Sequence, residues 1–214
     1  MTGFLLATLI GAGSFFSLHP LHLPDLKFTL KPVKPNSIGE TPKLLPEQPD
    51  HIEQSDAEAL QFFRAKNYPG ALEKYGILLK SHPKNSVILN NIGLTYLKLN
   101  DFKNAERVFQ ESLTIAPKDA AIYNNLASLK LAQNNSEEAI NYLYQAILYQ
   151  PEMTEAHLNL AKAFELAGRS SESIPEYQYY LNHSPNERDP TIRRLIEKRI
   201  VKLKSFVRLS EHAD

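Results

Sequence analysis

Four prolines, Pro83, Pro117, Pro151 and Pro185, stand 34 residues apart each time. A fixed period of this length marks stacked repeats and constrains the fold more than any other feature of the chain. Other positions keep the same step. Twelve residues before each proline lies a small side chain: Ala71, Ala105, Ala139 and Ser173. Eight before lies a large one: Tyr75, Phe109, Leu143 and Tyr177. Twenty-four before lies Ala59, Gly93, Ala127 or Ala161, and three residues after those come Phe62, Tyr96, Lys130 and Phe164. Apolar residues between these markers recur at helical spacing. Each unit therefore reads as two helices joined by a short polar turn such as "LNDFKN" or "AQNNSE". Small residues let the helices approach, large ones fill the gap beside them, and the proline ends the second helix. One helix pair cannot bury its apolar face alone, so neighbours must stack.

This pattern resembles the tetratricopeptide repeat family. The resemblance covers residues 52–186 and implies an all-α, right-handed α-solenoid of four 34-residue helix-turn-helix repeats, at 52–85, 86–119, 120–153 and 154–187. The first repeat is the weakest, because "IEQSDAEAL" is polar where its first helix should be apolar. Lys130 stands where the family usually has tyrosine. Pro175 falls early in the last repeat's second helix, and we place it in the first turn, which accepts proline.

Residues 188–214 form a basic capping helix and tail. Asp189 and Pro190 can start that helix. Ile192, Leu195, Ile196, Ile200, Leu203 and Val207 share one face, and Arg193, Arg194, Lys198, Arg199, Lys202 and Lys204 the other. A helix of this kind covers the open end of a solenoid, and its basic face suits anionic lipid or an acidic partner.

Upstream, residues 25–51 carry five of the fourteen prolines and read as an extended linker. Residues 1–24 carry no charged side chain. Their apolar run Gly3–Leu18 fits an uncleaved membrane anchor, a cleaved signal or a soluble start. As an anchor, with Lys27, Lys31 and Lys34 following, it favours cytoplasmic repeats; as a cleaved signal it implies export, with the repeats outside or periplasmic.

Composition removes several functions. The 214 residues include no cysteine, so disulfides, thiolate metal sites and a cysteine nucleophile are excluded. Net charge is zero, which gives no global field for nucleic acid. Only eight glycines occur and no phosphate-binding glycine motif. The histidines form no H-E-x-x-H arrangement; His82 and His183 sit at helix C-termini, and His157 where packing is expected. No enzyme activity, cofactor or metal is expected.

Asparagine pairs recur instead. Asn90 and Asn91 are followed 34 residues later by Asn124 and Asn125, and Leu158 and Asn159 follow in turn. In the family these positions, the fifth and sixth of the first helix, lie at or near the concave groove. The resemblance therefore implies a peptide-binding set of Asn90, Asn91, Leu94, Asn124, Asn125, Ser128, Asn159 and Lys162, with Glu155 and Glu165 adding mixed charge at the far end. An amide both donates and accepts, so it can hold a peptide backbone without reading its sequence. Local helix geometry is the competing explanation for the pairs. The carboxylate clamp of chaperone-tail binders is absent, since Asp56, Asn90, Ala121 and Asn125 occupy its positions. The expected function is a membrane-tethered, non-catalytic adaptor for a protein or peptide partner. An exported assembly factor or chaperone and a regulatory subunit docking an enzyme are the alternatives; the sequence leaves the oligomeric state open.

Overall fold

The computed structural model describes residues 50–184 and 190–211. The expectations for residues 1–24 and for most of the linker lie outside the described residues. Among these residues the structure is all helical. Four pairs follow one another: α1 (Asp50–Arg64) with α2 (Tyr68–Ser81), α3 (Ser86–Lys98) with α4 (Phe102–Ile115), α5 (Ala120–Ala132) with α6 (Ser136–Tyr149), and α7 (Thr154–Leu166) with α8 (Ser170–His183). A single helix, α9 (Pro190–Glu211), closes the series. Each helix packs on its neighbours in sequence, and the first helices also meet directly, α3 on α5 and α5 on α7. The result is the α-solenoid that the period requires.

Local chemistry starts the helices. Asn67, Asp101 and Asn135 accept from backbone amides three residues on, at 3.1, 3.2 and 3.2 Å. Asn85 and Asp119 cap α3 and α5 in the same way. α8 has no side-chain cap, and Pro175 is its sixth residue, beyond the first turn where the sequence placed it. The helix tolerates it there because both Pro175 and Ser171, whose carbonyl loses its helical donor, are exposed to water.

The turn inside each repeat has a feature that the sequence reading missed. Lys66, Asn100, Asn134 and Gly168, again 34 apart, have φ of 61°, 59°, 59° and 76°. Next to each, the following amide reaches back five residues, from Asn67, Asp101, Asn135 and Arg169 to the carbonyls of Phe62, Tyr96, Lys130 and Phe164, at 2.8–3.0 Å. This is a left-handed helix stop, suited to glycine and tolerated by asparagine. Lysine is the misfit. Lys66→Gly is expected to raise the unfolding free energy by roughly 0.5–1 kcal/mol, read as a higher midpoint in urea with unchanged slope.

Small-to-large complementarity fixes the helix spacing. A Cβ on Gly93 would sit 2.6 Å from Cδ1 of Phe109, whose ring is fully buried. Ala59, Ala127 and Ala161 occupy the same position and are all fully buried. The last pair closes against α9: Ile196, Ile200 and Leu203 pack on Leu158, Ala161, Tyr177 and Tyr180.

Candidate functional site: the amide seam between repeats

The asparagine pairs meet across the repeats. Asn125 Nδ2 donates to Asn90 Oδ1 at 3.1 Å, and Asn159 Nδ2 donates to Asn124 Oδ1 at 2.9 Å. The sixth position of one repeat thus bonds the fifth position of the repeat before it. All four side chains are buried. Burial raises the stakes of each bond, because a buried amide left unpaired costs far more than a paired one contributes. Asn91, at the head of the seam, has no earlier asparagine to meet. On these asparagines three buried atoms have no hydrogen-bond partner: Asn90 Nδ2, Asn91 Oδ1 and Asn159 Oδ1.

The other expected groove residues are buried as well. Leu94 belongs to a core cluster with Leu97, Phe109 and Ile122. The Ser128 hydroxyl donates to the Asn124 carbonyl at 3.0 Å, one turn back in its own helix. Lys162 is only 2% exposed, and burial pushes its ammonium down to about 8. The ordinary value is 10.5. Between those two values the unfolded chain binds a proton that the folded chain lacks, so stability rises with pH across that window. Wild type is expected to gain on the order of 1–2 kcal/mol between about pH 7.5 and about pH 9.5. Urea unfolding at both values, beside Lys162→Met, measures it; the methionine variant should lack the gain.

At the far end, the mixed charge expected of Glu165 is already engaged. Arg199 Nε of α9 donates to both its oxygens, at 2.7 and 3.0 Å, and the Tyr177 hydroxyl donates to Oε2 at 2.7 Å. Burial, then the charge and hydrogen bond of Glu165, hold the Tyr177 phenol far above its usual range. Lys130 also has a structural place. Its ammonium bridges Glu106 at 2.7 Å and Glu138 at 3.2 Å, joining α4, α5 and α6. Burial opposes its charge, but the two carboxylates outweigh burial and raise its pKa. His157 packs as expected, stacked on Tyr179 with 3.7 Å between ring centres, and bonded to Glu176 and to the Pro151 carbonyl. The His183 ring meets the Tyr179 carbonyl near the end of α8. Among the described residues, no group of three or more His, Asp or Glu is placed to hold a metal ion. No helix among them is long and apolar enough to cross a membrane.

Two family models described as tetratricopeptide repeat match the chain, over residues 96–143 and 124–190. No curated protein matches it in sequence. Among solved structures, Pseudomonas aeruginosa pilF is similar with a TM-score of 0.65 and 16% identity, covering 74% of this chain and 70% of that one. TTC0263, a thermophilic protein of this repeat class from Thermus thermophilus, gives 0.62 and 20%, covering 75% and 85%. The first repeat domain of Spaghetti, bound to the HSP90 peptide SRMEEVD, gives 0.51 and 16%, covering 57% and 94%. At these identities the likeness speaks for the fold. In step with the 34-residue period, the two model matches identify tetratricopeptide repeats over residues 96–190 of this chain.

Proposed function

We propose that the chain is a non-catalytic adaptor, held at a membrane through residues 1–24, whose repeats receive an extended segment of a partner protein along the amide seam. The repeat fold is an interaction scaffold, and the Spaghetti domain holds a peptide. The observation that carries the reading is the asparagine that recurs at one phase of consecutive first helices. Asn90 and Asn91 on α3, Asn124 and Asn125 on α5 and Asn159 on α7 make a row of amides along these helices. Asn90 Nδ2, Asn91 Oδ1 and Asn159 Oδ1 are buried, so a peptide reaches them only if the first helices part. An extended backbone presents N–H and C=O groups in alternation, so it satisfies such a set without any demand on its side chains. The membrane part rests on the uncharged run Gly3–Leu18.

The test is capture of partners from native lysate on wild-type chain and on Asn90→Leu/Asn91→Leu/Asn124→Leu/Asn125→Leu/Asn159→Leu. Leucine replaces both members of each hydrogen bond, so no buried partner is orphaned. Circular dichroism establishes that both proteins are folded. A partner held by wild type and lost by the variant is expected. A partner held equally by both places the binding surface elsewhere and overturns the seam as a site.

A further inference from the structure

The helix that closes the solenoid carries a charge imbalance that capping does not need. α9 has seven Lys or Arg against two Glu, a net of +5 in a chain whose net charge is zero, so the remaining residues carry −5. Two of the basic residues serve the fold. Arg199 is held by Glu165, and Arg193 meets Glu197 and the Leu181 carbonyl. Arg194, Lys198, Lys202, Lys204 and Arg208 are exposed, and no carboxylate among the described residues pairs with them. The inner stripe of Ile196, Ile200 and Leu203 fixes which way the helix is turned. Arg194, Lys198, Lys202 and Arg208 consequently lie on its outward side. Val201 and Leu209, 69% and 71% exposed, lie among them.

We propose that this outward face of α9 is a docking surface for an anionic phospholipid bilayer. It stands on α9 alone and goes beyond the seam reading. Charge complementarity selects an anionic partner. The spread of the cations selects a plane: they run along a rod that, at 22 residues, is about 33 Å long. An acidic peptide would call for a clustered cleft. The two exposed aliphatic side chains among the cations suit the headgroup boundary, where lysine and arginine stems also lie flat. Attraction of this kind amounts to several-fold in partition per basic residue and weakens as salt rises.

The full chain is sedimented with vesicles of phosphatidylcholine alone and of phosphatidylcholine mixed with phosphatidylglycerol. Wild type is compared with Arg194→Gln/Lys198→Gln/Lys202→Gln/Arg208→Gln. All four positions are exposed, and glutamine keeps helix propensity. Any partition through residues 1–24 is common to both proteins, so the readout is the ratio of anionic to neutral binding. Wild type should prefer the anionic vesicles, and the variant should lose roughly a hundred-fold of that preference or more. A wild-type ratio near unity, or an equal ratio in the variant, overturns the proposal, whatever acidic protein the chain captures. Circular dichroism of the variant separates loss of charge from loss of fold.

Discussion

Glu165→Ala is expected to lower the unfolding free energy by about 3–5 kcal/mol. The glutamate side chain is 5% exposed and the Arg199 side chain 13%. Removing the carboxylate leaves a guanidinium inside the protein with no countercharge, and takes the acceptor from the Tyr177 hydroxyl, which sits on a fully buried ring. The alternative for the chain is to lift α9 away, which exposes Ile196, Ile200 and Leu203 together with the surface they cover. Both routes are expensive, so the loss is large whichever is taken. Urea unfolding gives the total. Limited proteolysis tells the routes apart, since cleavage within α9 ahead of the other helices reports lifting. Glu165→Gln, which keeps an acceptor for Tyr177 but loses the charge, should fall between wild type and alanine.

Asn125→Ala/Asn159→Ala should cost about 2–6 kcal/mol. Each substitution deletes a donor and leaves a buried oxygen, Asn90 Oδ1 or Asn124 Oδ1, without one. The two bonds lie in different junctions and share no residue, so their effects should add. The control is Asn90→Leu/Asn125→Leu, which removes donor and acceptor of one bond together. It is expected to stay within about 1 kcal/mol of wild type, because no polar atom of that bond is stranded. Chemical denaturation of the three proteins checks the ordering. Equal losses in the alanine and leucine variants would mean that packing volume, and not the hydrogen bond, fixes asparagine here.

Periodicity made the fold legible. The prolines, the small residues and the large residues recur at one step; Pro83, Pro117 and Pro151 follow helix ends in the structure, and the small and large residues meet between helices, as Gly93 against Phe109 shows. The seam was legible by halves. The sequence placed the asparagines on the first helices at a common phase, but a 34-residue repeat cannot say that residues 35 apart are the ones that bond. That offset follows from how consecutive first helices pack side by side. Glu165 was assigned to the groove because its partner, Arg199, lies 34 residues away on a helix outside the repeats. The left-handed turn residues escaped notice because lysine, asparagine and glycine share no chemistry, only tolerance of a backbone conformation, and lysine tolerates it poorly.

The seam also bears on how such a chain can change in length. Asn90 and Asn124 hold equivalent places, so a chain lacking residues 120–153 would bring Asn159 opposite Asn90, again donor to acceptor. Duplicating the same segment would insert one more identical coupling. The Lys130 bridge leaves with the excised segment together with Glu138, and the half-exposed Glu106 that remains can turn to water. Whole-unit gain or loss thus passes without a mismatch, whereas an excision one residue shorter or longer puts Leu158 or Leu160 against a buried amide. The coupling acts as a counting rule on inheritance: the array can be lengthened or shortened by duplication and excision, but only in steps of one repeat.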